Sequence, residues 1–290
     1  MKHSLQRDDS LSISFLAWSP DDRKLLSCGS GNSVRMWDTT SGAVLRDFFV
    51  HTNSVSACAW FPDGKRFVSG GLDKVVYMVD VEGDNEERRM WRTGRVNDLA
   101  LTSDGKKLIV ANTDKKILII EVDDKDGAED LEQGGCECIQ ETEQFTSLFL
   151  ADDDDHVIIN VSALSDNPSE IHMWNLSTKK LIHRYIGHSQ RRFVLRSCLG
   201  GAGQSFVLGG SEDGNVYIWK RSTGKLLEVL QGHGSLVNCV AWCPTNARLI
   251  ASASDDHTIR LWGTGGEGDE DGGDGCFDPG DQRIRSLLSL

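Results

Sequence analysis

The stretch ASASDDHTIRLWG, Ala251–Gly263, sets two aspartates and a histidine ahead of a β-branched, alternating run that closes on tryptophan. Asp255, Asp256 and His257 could form an acid/base site, or they could form a tight turn between two strands. Recurrence decides between the two. Copies stand at Gly209–Arg221 (GGSEDGNVYIWKR), Cys28–Thr40 (CGSGNSVRMWDTT), Gly70–Glu82 (GGLDKVVYMVDVE) and Ala111–Asp123 (ANTDKKILIIEVD). A more distant one is SDNPSEIHMWNLS, Ser165–Ser177. Aligned on the tryptophan, they place Trp37, Val79, Ile120, Trp174, Trp219 and Trp262 at intervals of 42, 41, 54, 45 and 43 residues. One catalytic site needs no six copies, whereas a turn inside a repeated unit does. Self-similarity at this period marks four-stranded blades, and the fold expected is an all-β propeller with six recognisable repeats.

Within each repeat, runs of Val, Ile and aromatics alternate with Pro, Gly, Asp and Asn, the chemistry of short strands and turns. The first reads ISFLAW, KLLSCG, VRMW and AVLRDFF; the last reads LVNCVAW, LIASAS and IRLW. Trp18, Trp60 and Trp242 end first strands, each within two residues of a proline. They suit packing between neighbouring blades better than a ligand-stacking set. The propeller is expected over 1–263, with an acidic insertion at about 123–135. An acidic Gly-rich tail without periodicity covers 264–290 and is expected to be disordered. Its end, RIRSLLSL, could form a strand or a short amphipathic helix.

The net charge of −13 is concentrated. Glu121–Glu143 holds ten acids against one base, and Glu267–Asp281 holds seven acids and no base, so the remainder is near neutral. With no basic stripe, nucleic acid is not an expected partner. No apolar run reaches membrane-spanning length and MKHSLQRDDS has no signal-peptide core, so no membrane association is expected either. Eight cysteines in 290 residues do not make a disulfide framework. Cys136 and Cys138 form a CxC without a second pair at zinc spacing, so neither a metal site nor a cofactor is expected. Reduced cysteines fit a cytoplasmic or nuclear protein.

These features resemble the WD40-repeat family from about Ile13 to Gly263. Gly-His recurs at Gly187–His188 and Gly232–His233, and Trp-Asp stands at Trp37–Asp38. The resemblance implies a hydrogen-bonded chain of His, Ser/Thr, Asp and Trp in each blade. His233, Ser252, Asp256 and Trp262 would complete it in the last repeat. The fifth repeat offers His188, Asp213 and Trp219 with Gly209 in place of the hydroxyl residue, and the second offers His51, Ser69 and Asp73 with Val79 in place of tryptophan. A buried carboxylate needs such partners, so the set is expected to be structural rather than catalytic.

A narrower resemblance lies in GHSQRRFVLRSCLGG (Gly187–Gly201) and in GHGSLVNCVAWCPTNARLIASASDDHTIRLWG, together with AWSPDD and AWFPDGKRFVSGG. These runs are similar to the WD-repeat subunits of CTLH/GID ubiquitin ligases, the WD repeat-containing protein 26 type, including plant members. The resemblance implies a substrate-recruiting or scaffolding role, with ligase subunits and substrates as partners. It also implies LisH and CTLH helical segments and seven blades. This sequence shows neither a helical stretch of that kind nor a seventh repeat, and KHSL at Lys2–Leu5 reads as the end of an earlier blade. The third residue after the motif tryptophan is Thr40, Ser177, Ser222 or Gly265, so the Trp-Asp-x-Arg pattern of cullin adaptors is not met. The candidate partner contact is Gln190, Arg191, Arg192 and Phe193, because arginine and aromatic side chains suit an interface centre. The competing reading leaves Arg191 and Arg192 solvated and Phe193 in the core. No Gly-x-Ser-x-Gly elbow or phosphate loop supports an enzyme. The alternative function is a generic signalling or chromatin scaffold.

Overall fold

The computed structural model describes residues 11–83, 87–123, 127–131, 135–162 and 168–263. Two compact units divide the chain, 1–145 and 146–290, and each holds three sheets, antiparallel throughout except for one parallel strand pair in the first unit. The expected tail at 264–290, the RIRSLLSL end and KHSL lie outside the described residues.

In the first unit, one sheet runs in order through β1 (Ile13–Trp18), β2 (Lys24–Gly29), β3 (Val34–Asp38) and β4 (Val44–Phe48). The next contains β5 (Val55–Trp60), β6 (Arg66–Gly71), β7 (Val75–Asp80) and β8 (Glu87–Arg92). The third contains β9 (Val96–Leu101), β10 (Lys107–Asn112), β11 (Lys116–Glu121) and, past a strand of another sheet, β13 (Glu137–Gln140). That intervening strand, β12 (Gly127–Asp130), lies in the acidic insertion and pairs in parallel with β8, making the second sheet five-stranded. The insertion is therefore built in at this point rather than a wholly solvated loop.

The second unit begins with β14 (Phe145–Leu150), β15 (His156–Val161), β16 (Glu170–Asn175) and β17 (Lys180–Ile186). β18 (Ser197–Gly200), β19 (Phe206–Gly210), β20 (Asn215–Lys220) and β21 (Leu226–Gln231) follow. β22 (Val237–Trp242), β23 (Leu249–Ser254) and β24 (Ile259–Gly263) form a sheet with three described strands. Six sheets built on repeated sequence in this way are the blades of a β-propeller.

The middle strands are apolar on both faces because sheets pack on either side of them. Leu26, Phe48 and Val55 share one core with Phe67 and Val79. Val76, Trp91, Leu108 and Leu118 share the next, and Leu131, at the end of the acidic insertion, joins it at 4% exposure. In the second unit, Tyr185, Trp219 and Val207 form one core, and Leu208, Val216 and Ile250 another.

The first-strand tryptophans divide. Trp60 is buried and donates its indole N–H to the Ala17 carbonyl of the preceding sheet at 3.1 Å. Trp242 stacks on Phe206 of its preceding sheet, ring centres 5.5 Å apart. Trp18 does not follow: it is 60% exposed. It stands on the opening strand of its unit, where no earlier described sheet can cover it. The interblade packing expected for it is corrected on that ground.

Candidate interaction surface

The Gly-His histidine His233 accounts for Asp256 of the Ala251–Gly263 motif. In the last sheet His233 Nδ1 lies 2.8 Å from Asp256 Oδ2 and Nε2 lies 2.7 Å from Ser252 Oγ. Trp262 Nε1–H donates to the same Ser252 oxygen at 2.8 Å. The imidazole thus donates from Nδ1 to the carboxylate and accepts the serine proton at Nε2, leaving the serine oxygen to accept the indole. Asp256 also accepts from the Gly234 and Thr258 backbone amides. The Thr258 hydroxyl leads the bonds that outweigh desolvation and hold this carboxyl well below the usual range. His257 has φ 67, the left-handed turn position. Lys74, Lys115 and Gly214 occupy that position with φ 70, 62 and 82.

The second sheet repeats the arrangement, with His51 Nδ1 2.9 Å from Asp73 Oδ2 and Nε2 2.8 Å from Ser69 Oγ. Desolvation would raise the Asp73 carboxyl, but the His51 bond and charge and the Thr52 amide keep it low. Val79 supplies no indole, and Tyr77 packs edge-on to the imidazole instead, 4.8 Å between centres.

The fifth sheet departs from the set its sequence suggests. His188 is buried, and neither ring nitrogen has a hydrogen-bond partner among the described residues. It packs edge-on to Trp219 at 5.6 Å. Burial pushes its imidazole down to about 4. Asp213 accepts instead from Tyr217 Oη at 2.7 Å, and Trp219 Nε1–H donates to the Ile186 carbonyl at 2.9 Å. The missing hydroxyl is the reason. A Cβ on Gly209 would stand 3.0 Å from Ile171 Cδ1 and 3.1 Å from the Trp219 ring, so no serine fits without repacking.

Ser–His–Asp in two sheets resembles a hydrolase triad in residue type alone. Ser69 is 0% and Ser252 1% exposed, so neither hydroxyl can meet a substrate. The aspartate run at Asp152–Asp155 is likewise tied into its turn, Asp153 accepting from Arg221 at 2.7 Å and His156 at 3.0 Å. Among the described residues no group of three His, Cys, Asp or Glu could hold a metal.

The candidate patch resolves into one anchor and three presented residues. Gln190 is 0% exposed and is corrected from a contact residue to an anchor. Its amide donates to Thr146 Oγ1 at 2.8 Å and to the Phe193 carbonyl at 3.1 Å. Its carbonyl accepts from Asn160, whose own carbonyl accepts from Ser147. A buried primary amide is stable only when so satisfied. Arg191 and Arg192 are exposed, and Phe193 at 48% and Val194 at 54% stand out with them rather than joining the core.

Glu212 organises the loop. One oxygen, Oε1, accepts the backbone amides of Arg191, Arg192 and Phe193 at 2.7, 2.8 and 3.2 Å. Desolvation opposes this carboxylate, but the three amides outweigh it and hold its titration low. The loop is also longer than its counterparts. Three residues separate His51 from Val55 and His233 from Val237, whereas six separate His188 from the buried Leu195. The sequence comparison of repeats could have found this length difference; the role of Glu212 depends on geometry.

A family model described as WD domain, G-beta repeat, matches residues 2–38, 42–80, 179–220 and 224–263. The chain belongs to the WD40-repeat family. It is 40% identical over 267 residues to a WD repeat-containing protein 26 homolog of Arabidopsis thaliana, covering 91% of this chain and 42% of that protein. It is 42% identical over 272 residues to a WD repeat-containing protein WDS homolog of the same plant, covering 91% of this chain and 49% of that protein. GID complex subunit 7 of Schizosaccharomyces pombe is 37% identical over 174 residues, 59% of this chain and 33% of that protein. The chain thus spans less than half the length of these relatives. The matched repeats cover β1–β7 and β17–β24; β8–β16, which include the whole third sheet and most of the fourth, keep the sheet geometry with more divergent sequence. No helix among the described residues is long and apolar enough to cross a membrane.

Proposed function

We propose that this WD40 chain is a non-enzymatic interaction scaffold that serves as a substrate-recruiting or scaffolding subunit of a CTLH/GID-type E3 ubiquitin ligase. The observation that carries the reading is similarity to a WD repeat-containing protein 26 homolog along 91% of the chain, joined by similarity to a GID complex subunit. The blades supply the physical basis. Rigid sheets hold loops in fixed positions, and binding residues concentrate on such loops. The buried serines argue for structure over hydrolysis. Arg191, Arg192 and Phe193 are the partner contact, and proteins rather than nucleic acid or membrane are the partners. The ligase reading places the protein in the cytoplasm or nucleus.

The test is affinity capture of the tagged chain from its own cells, read by mass spectrometry. Recovery of other CTLH/GID subunits is the expected result. Recovery of histones or signalling proteins without any ligase subunit would leave a generic scaffold and remove the ligase role.

A further inference from the structure

The fifth-sheet loop names a class of partner. Its three extra residues lie between the buried anchors Gln190 and Leu195, at 0% exposure each. An insertion that only closed a turn would bury its apolar residues or be polar. This one raises Phe193 and Val194 into solvent beside two exposed arginines. Exposed apolar side chains among charges mark a recognition surface. The loop is also held in place before any partner arrives, by three amides on Glu212 and by the Gln190 bond to the Phe193 carbonyl. Pre-ordering lowers the entropy cost of binding.

The charge follows from the same geometry. Glu212 meets the loop through backbone amides, and the Arg191 charge adds to the pull on this carboxylate, while both arginines stay exposed. Two adjacent guanidiniums offer forked donors that match carboxylates in pairs. We infer that the Arg191–Val194 loop docks an acidic linear segment of a partner protein, with carboxylates on Arg191 and Arg192 and one apolar side chain against Phe193 and Val194. This rests on the scaffold reading above and specifies the segment such a scaffold would take.

The experiment uses the full chain and an array of 12-residue peptides, each with one leucine or phenylalanine flanked by aspartates and glutamates. Copies carry asparagine and glutamine in place of the acids, or alanine in place of the apolar residue. The strongest peptide is then titrated by fluorescence anisotropy. Amide copies are expected to bind at least about tenfold more weakly, and Arg191→Ala/Arg192→Ala to lose a similar factor. Phe193→Ala is expected to lose about fivefold or more. Lys179→Ala/Lys180→Ala removes the same charge from another exposed turn and is expected to change binding less than about twofold. Acidic peptides binding no better than amide copies would overturn the inference. So would unchanged binding by the arginine variant, or equal loss in the lysine variant. If ligase subunits are captured while the array stays blank, only this inference falls. If the array behaves as expected but no ligase subunit is captured, the ligase role falls and the docking loop stands.

Discussion

His51, His188 and His233 occupy one place in three repeats, and their surroundings give them different chemistry. His51 and His233 each bridge a carboxylate and a buried hydroxyl. Asp73→Ala would leave the His51 Nδ1–H buried without an acceptor, a loss of roughly 1–3 kcal/mol in chemical denaturation. Asp256→Ala is expected to lower the melting temperature while leaving partner capture intact, since no partner contact is assigned to it. His188 predicts a different signature. Its folded titration near 4 lies below the ordinary 6.5, so the unfolded chain takes up a proton that the folded chain refuses. Its contribution is complete above pH 6.5 and is lost as pH falls toward 4, up to about 3 kcal/mol across the window. Asp73 and Asp213 have lowered values, so their contributions fade only as pH falls below the ordinary carboxylate range. Denaturation near pH 7.5 and near pH 4.5 should show the drop in the wild type and a much smaller one in His188→Phe. Equal drops would remove His188 as the cause. Gly209 announced the missing hydroxyl in the sequence. The transfer of Asp213 to Tyr217 was not legible, because it depends on which side chain fills the space.

Elements show why the repeat and the sheet are out of phase. Residues 42–80 contain β4, the outer strand of one sheet, followed by β5–β7 of the next. Residues 224–263 likewise contain β21 and then β22–β24. Each of these two repeats therefore ties two successive sheets, as do residues 179–220 with β17 and then β18–β20. Strands and turns were legible because alternation and turn residues are local. At the turn, His257→Gly should raise stability by about 0.5–1 kcal/mol by removing left-handed strain. Gly214→Ala should cost about 1–2 kcal/mol, because φ 82 is joined by a Cβ only 2.9 Å from the His233 carbonyl. Thermal melts of the pair decide, and equal effects would contradict the assignment. The parallel pairing of β12 was not legible, since it is non-local and its composition is acidic. Among the described residues, side chains that hold it include Arg89, which pairs with Asp123 and Glu129, and Leu131 in the core. Leu131→Ala should cost roughly 2–3 kcal/mol and speed amide exchange along β8 and β12. Unchanged exchange there would show that the pairing does not depend on this side chain.

At the scale of the whole molecule, repetition made the fold readable while the surfaces stayed hidden. Leu16, Trp18, Ile259 and Leu261 are large apolar strand residues, yet they are 53%, 60%, 74% and 49% exposed. Alternation tells which residues share a face; it does not tell whether a sheet covers that face. Ile13, Leu16 and Trp18 form an apolar surface on β1, and Ile259 and Leu261 one on β24. β24 also has no strand beside it on its outer edge among the described residues. Exposed apolar surface and an open strand edge both favour association between chains. Leu16→Glu/Trp18→Glu and Ile259→Lys/Leu261→Lys, made separately, should each raise the protein concentration at which light scattering begins. Because the replaced groups face solvent, each change should move folding stability by less than about 1 kcal/mol in denaturant titration. A scattering threshold unchanged in both variants would locate the tendency to associate elsewhere. A large stability loss in either would mean that its surface is covered in solution.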